Sequence, residues 1–252
     1  MFSYYGSKSK IVQYYPSPTN DKIIEPFAGS ARYSLRYFEK DILLVDKYKV
    51  IVDIWHYLQR ASQKDILGLP KLDKVGQDLR DYKLSEVEKN FMGMIISAGA
   101  SSPQNKLTTL AYRKQLNDKY RPYERYLITI AKDLYKIKHW KIIQGNYEDL
   151  PNEHATWFID PPYQFGGEHY KESNKNLDFN SLANWSKTRQ GQVIVCENTK
   201  ADWMDFKEIN FFKHANNMGN EKTTEAIWTN FKTQYDSIQQ DLFGRGEEKI
   251  SA

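Results

Sequence analysis

The run Phe158-Ile159-Asp160-Pro161-Pro162-Tyr163 sets a carboxylate, a proline-bound carbonyl and an aromatic ring in a turn directly behind an apolar stretch. Two consecutive prolines remove ladder donors and fix the chain, so a strand must stop there and the corner is rigid. In α/β proteins ligands bind at the carboxyl ends of strands, where such a corner presents fixed hydrogen-bond acceptors. A second candidate is Glu25-Pro26-Phe27-Ala28-Gly29-Ser30, a small-residue turn between a short strand and a helix. A ligand can approach the backbone and the helix N-terminus at such a turn. It has only one glycine, Gly29, so a tight strand-to-helix turn without a ligand reads the same way. The third candidate is Asp46, which closes the next strand roughly twenty residues beyond the glycine turn, where an acid accepts hydrogen bonds from ribose hydroxyls. Taken alone, Asp46 also fits a surface or helix-capping aspartate.

A sheet is needed to bring these residues together. Residues 22–27 read as a strand, 31–38 as a helix and 41–45 as a second strand, a βαβ unit. The amphipathic stretch 48–60 follows, with Val52, Trp55 and Leu58 at helical spacing. Strand signals then fade across residues 61–135, which hold helix-like stretches at 84–96 and 123–134 around a polar loop, 98–109. Strand-like runs resume at 140–143, 156–159, 192–196 and 226–231, with a helical segment at 181–187. The expectation is an α/β, Rossmann-like sheet formed by residues 1–60 and 135–252, interrupted by a mostly helical lobe at 61–134, with 244–252 as a frayed tail.

Composition narrows the classes. The 252 residues are 40% hydrophobic and 14% aromatic, enough for a core and against disorder over most of the chain. A formal net charge of +4 permits a polyanionic partner without demanding one. The single cysteine, Cys196, excludes an internal disulfide and a cysteine-rich metal cage, and its apolar neighbours predict a buried thiol. His56, His139, His154, His169 and His214 show no ligand spacing, so no metal site is expected. The opening MFSYYGSKSK has no long apolar run, so neither a signal peptide nor a membrane anchor is expected, and the chain is expected to be cytoplasmic.

Phe-Ala-Gly-Ser after a strand, an acid closing the next strand, and Asp-Pro-Pro-Tyr further on resemble the amino-group methyltransferases that use S-adenosyl-L-methionine. Tyr4-Tyr5-Gly6-Ser7-Lys8, ahead of the glycine turn, resembles the N-terminal cofactor motif of the alpha-group, Dam-like DNA adenine-N6 methyltransferases. That group runs N-terminal motif, glycine motif, target-recognition insert and Asp-Pro-Pro-Tyr, the order found here. The likeness covers roughly residues 1–60 and 135–235 and is much weaker in the insert. It implies a Rossmann-like S-adenosylmethionine-dependent sheet with a target-recognition lobe. It also implies that Tyr4 and Lys8 hold the cofactor's adenosyl and carboxylate ends, that Phe27, Ala28, Gly29 and Ser30 line its amino-acid part, and that Asp46 binds its ribose. Asn146-Tyr147 stand where the family has an Asp followed by an aromatic residue, and Asn can both donate to and accept from an adenine edge. Ala31 stands where the family commonly has a second glycine.

By the same resemblance Asp160, Pro161, Pro162 and Tyr163 carry the chemistry, with Asp160 also facing the cofactor. The Asp160 carboxylate and the Pro161 carbonyl would accept the two N6 hydrogens of an adenine swung out of its duplex, and Tyr163 would stack on that base. Loop 164–175, with Tyr170, would close over the base or neighbouring phosphates. In the insert, Arg113, Lys114, Lys119, Arg121 and Arg125 interleave with Tyr112, Tyr120 and Tyr123, a composition suited to phosphate and base contact. A solvated face has the same composition. The implied partner is double-stranded DNA, met as a monomer by a bacterial or phage-encoded chain, with a cognate restriction endonuclease as a possible companion. RNA adenine or cytosine-N4 as acceptor, and a catalytically inactive DNA-binding relative, remain alternatives.

Overall fold

The computed structural model describes residues 1–2, 4–97, 100–116, 123–209 and 224–235. The tail at 244–252 lies outside them. Among the described residues seven strands form one sheet: β1 (Lys22–Glu25), β2 (Asp41–Asp46), β3 (Lys141–Gln144), β4 (Ala155–Ile159), β5 (Gly191–Asn198), β6 (Lys207–Glu208) and β7 (Glu225–Thr229). Their order is β3-β2-β1-β4-β5-β7-β6. The first five strands run parallel, while β7 is antiparallel to both β5 and β6, the arrangement of Rossmann-like methyltransferase folds. Near-continuous apolar runs such as Ile42–Val45 and Ala155–Ile159 are what parallel strands covered on both faces require.

Period-two alternation sorts the core. Ile23, Ile42, Leu44, Phe158 and Ile194 face one layer, while Ile24, Leu43, Val45, Trp157 and Val193 face the other. The first layer is closed by α1 (Arg32–Arg36) and α2 (Lys49–Arg60), whose Ile51, Ile54, Trp55 and Leu58 are fully buried. The second is closed by α7 (Phe179–Lys187) through Leu182 and Ala183. Cys196 is buried on β5.

Among the described residues four α-helices lie between α2 and β3: α3 (Gln63–Leu67), α4 (Glu86–Ile96), α5 (Thr109–Leu116) and α6 (Tyr123–Asp133). This stretch is mostly helical, and α4 packs on α2. Its Leu79, Phe91, Met92 and Ile130 join the apolar cluster that covers the sheet, so lobe and sheet share one core. Two of its helices were not expected. The five-residue α3 is too short to show periodicity and is held by a reciprocal cap between Ser62 and Asp65. The helix α5 begins at the end of the stretch read as a polar loop and leaves Leu110 exposed, so it carries little amphipathic signal. The two-residue β6 was also missed. Among the described residues no helix is long and apolar enough to cross a membrane.

The sheet changes winding direction between β1 and β4, so the turn after Glu25 and the turn after Ile159 open side by side at the carboxyl edge. Ala31 caps α1 in the left-handed region, at φ 44° and ψ 48°, where an L side chain is strained. The chain therefore keeps the backbone of a glycine at the position where a second glycine is missing. Ala31→Gly should raise unfolding stability by roughly 0.5–1 kcal/mol in urea titrations. A loss of stability would mean that this turn is not strained.

Candidate active site

The glycine turn is pinned from three sides. Gly29 at φ 44° donates its backbone N–H to Asp46 Oδ2 (2.9 Å), its carbonyl accepts from the indole of buried Trp55 (2.9 Å), and Ala28 N–H donates to the Val45 carbonyl (2.9 Å). A Cβ on Gly29 would lie 3.1 Å from the Tyr4 ring, so the N-terminal segment closes directly over the turn. That segment is stapled there: Ser30 donates to Ser7 Oγ (3.0 Å), and Arg32 donates to Ser7 Oγ (3.0 Å) and the Phe2 carbonyl (2.8 Å). Sequence reasoning assigned roles to Tyr4 and Lys8 but not to Ser7, Arg32 or the Trp55 indole.

Asp46 spends one lone pair of each oxygen on backbone amides, Gly29 N–H and Tyr48 N–H (2.8 Å), which leaves acceptor capacity for a ligand hydroxyl. Burial pushes its carboxyl up to about 6 against the pull of those two donors. Glu25, 2% exposed, accepts the Ser34 backbone N–H at the start of α1 (2.6 Å), and burial pushes its carboxyl up to about 8.

At the neighbouring edge Asp160 Oδ1 stands 2.8 Å from the Lys8 ammonium, with the side chains 21% and 8% exposed. Burial raises the Asp160 carboxyl above its ordinary value, and Lys8 only partly draws it back. Burial also works against the Lys8 charge, but Asp160 and then Glu225 more than restore it. Lys8 further donates to the Gly6 carbonyl (3.2 Å) and lies 4.5 Å from the Tyr163 ring centroid. One face of Tyr163 thus meets a cation, and its hydroxyl is tied to Glu225, which differs from the free stacking platform expected. The corner is clamped behind: Gln164 N–H donates to Glu197 Oε1 (2.9 Å), and Asn174 Nδ2 donates to the Tyr163 and Gln164 carbonyls (3.0 and 2.8 Å). Burial pushes the Glu197 carboxyl up to about 8.

One cleft with about 1200 Å³ of empty space, mouth included, joins these two turns. Tyr4, Lys8, Phe27, Ala28, Gly29, Ser30, Asp46, Asn146, Tyr147, Asp160 and Pro162 all line it, so the residues proposed from sequence for the cofactor converge. Pro161 is buried, and Tyr163 packs against the core. Asn146 caps its own turn, accepting from Tyr147 N–H (3.0 Å) and donating to Glu148 (2.7 Å). Phe27 and Tyr147 form an aromatic wall, with centroids 5.5 Å apart.

Tyr170, read as a DNA contact, points inward. Its ring meets Tyr4 and Tyr5 edge-on, and its hydroxyl donates to the Tyr5 carbonyl (3.2 Å). Loop 164–175 thus reaches back onto the N-terminal motif, with Ser101 bonded to the His169 carbonyl and Lys47 paired with Glu172 (3.5 Å). Compared with known proteins, the chain matches no family model and no curated relative.

The insert's basic residues are only partly described. Arg113 on α5 and Arg125 on α6 are exposed. Lys119, Tyr120, Arg121 and the Lys114 side chain lie outside the described residues. Tyr123 is corrected: at 5% exposure it packs in the core rather than facing a partner. Among the described residues no group of three His, Cys, Asp or Glu could hold a metal ion.

Two outcomes follow from the geometry. A Cβ on Gly6, at φ 72°, would sit 1.9 Å from the Tyr170 hydroxyl, so Gly6→Ala should expel Tyr170. Hydrogen exchange across 164–175 should then quicken by about tenfold or more; unchanged protection would mean that the loop is not latched by this contact. The raised Glu25 carboxyl makes its protonated form the favoured one in the fold. Its stabilising effect is complete below the ordinary carboxylate range and is lost as pH rises towards about 8. Glu25→Gln should remove that slope, leaving the variant more stable than the native chain at pH 8 by roughly 1–3 kcal/mol in urea titrations. Parallel slopes for the two proteins would refute the assignment.

Proposed function

We propose that the chain transfers a methyl group from S-adenosylmethionine to the N6 amino nitrogen of adenine in double-stranded DNA. The observation that carries this reading is the Lys8–Asp160 pair at one side of a cleft whose other side is the Gly29 turn and Asp46. The residues fit the cofactor. Asp46 has acceptor capacity for a ribose, Phe27 and Tyr147 offer aromatic surface, and Asn146 matches an adenine edge. Gly29 and Tyr4, whose ring packs over the turn, line the same cleft as these residues. When bound, S-adenosylmethionine supplies a methyl group already activated on a sulfonium.

The protein's task is then alignment and charge. An exocyclic adenine nitrogen is a poor nucleophile because its lone pair is delocalised into the ring. Acceptors at the Asp160 carboxylate and the Pro161 carbonyl draw on the two N6 hydrogens, localise that lone pair and stabilise the positive charge that develops on nitrogen. An ionised Asp160 is the stronger acceptor, and although burial favours its protonated form the Lys8 ammonium beside it opposes protonation. A base inside a duplex cannot reach this corner, so the target must leave the stack. The rings of Tyr4, Tyr5 and Tyr170 offer such a base flat apolar surface close to Asp160. Exposed Arg113 and Arg125 on the insert supply cations for the phosphates.

Incubation of the purified chain with methyl-labelled cofactor and varied duplexes should place label on N6-methyladenine. Asp160→Ala should lower turnover by roughly a hundredfold or more while cofactor affinity changes little. An Asp160→Ala variant as active as the native chain would overturn the proposal. Label on RNA or on cytosine would move the acceptor while keeping the chemistry.

A further inference from the structure

Behind the corner lies a carboxylate that no motif marks. Glu225 opens β7 opposite Asn198 of β5, and its Oε1 accepts the hydroxyls of Tyr15 (2.6 Å) and Tyr163 (2.5 Å). The Tyr163 ring lies 4.5 Å from the Lys8 ammonium, which in turn stands 2.8 Å from Asp160 Oδ1. The contacts form one line from the antiparallel strand to the corner: Glu225, Tyr163, Lys8, Asp160.

Each link restricts the next. A carboxyl oxygen that accepts the Tyr163 hydroxyl fixes the ring's orientation. The face of an aromatic ring attracts a desolvated ammonium, so the ring's orientation decides where Lys8 rests. Where Lys8 rests decides which Asp160 oxygen it engages and which stays open to an incoming amine. We infer that Glu225 is a positioning residue of the transfer site, acting on Asp160 through Tyr163 and Lys8. The inference rests on the methyl-transfer reading above. It assigns to β7 a part in chemistry otherwise drawn from the ends of β1, β2 and β4. Lys8 is taken up by Asp160, and Asp46 and Gly29 belong to other elements, so losing Glu225 should affect turnover and largely spare cofactor binding.

The test compares Glu225→Met, Glu225→Gln, Tyr163→Phe and the double variant Glu225→Met/Tyr163→Phe in the DNA methylation assay. Glu225→Met should lower kcat about tenfold, on the scale of one buried hydrogen bond, with the cofactor KM within about twofold of native. Glu225→Gln keeps an acceptor oxygen and should recover most of the loss. The double variant should be no slower than Glu225→Met by more than about twofold, since both changes break one link. Native-like kcat in Glu225→Met, or losses that multiply in the double variant, would overturn the inference. Should Glu225→Met fail to fold, Tyr163→Phe breaks the same bond from the other end, and native-like kcat there would overturn it equally. A native chain that methylates no nucleic acid would instead overturn the methyl-transfer reading itself, and this inference with it.

Discussion

The site depends on one ion pair held between two distant parts of the chain. Lys8 belongs to the N-terminal segment and Asp160 to the end of β4, and they meet 2.8 Å apart with both side chains largely buried. Removing an ammonium and a carboxylate from water costs several kcal/mol per ion, and their attraction offsets this only with good geometry and further polar contacts. The surroundings supply these as the Gly6 carbonyl on Lys8 and the Tyr163 ring under its charge. A pair of this kind is a poor way to stabilise a fold. It fixes a buried carboxylate in place and opposes its protonation, which suits the acceptor role proposed for it.

The rest of the architecture brings the two ends together. Neighbouring parallel strands β1 and β4 put the glycine turn and the proline corner side by side, and Ser7, held by Ser30 and Arg32, ties the N-terminal segment across them. Trp55 joins α2 to the carbonyl of Gly29, so the helix that fills the core also sets the cleft wall. The core and the cleft therefore share residues. The strained Ala31 shows that the turn keeps its shape even without the glycine that would adopt it freely.

Much of this was legible in the sequence, because the decisive signals are local. The Pro-Pro corner, the single-glycine turn and the acid at the tip of β2 are set by neighbouring residues, and period-two apolar runs locate the principal strands. Long-range pairings were not legible. Lys8 could be linked to a cofactor by resemblance, but its bond to Asp160 spans most of the chain. Glu225 sits at the start of a strand, where an exposed end residue is the ordinary expectation, and only the fold brings two tyrosine hydroxyls to it. Tyr123 looked like part of a basic, aromatic surface because helical phase alone decides which side of α6 is buried. Tyr170 was placed in the right loop, but its packing on Tyr4 and Tyr5 was not legible, since loops carry no periodicity that reports direction.

The central claim is that the proline corner and the glycine turn are two walls of one transfer site. A crystal structure of the chain with S-adenosylmethionine tests it most directly. The account predicts the ribose at Asp46 and the transferable methyl group turned towards Asp160, with open space between them for a nucleobase. A cofactor bound elsewhere, or lying in this cleft with its methyl group sealed off from Asp160, would contradict it.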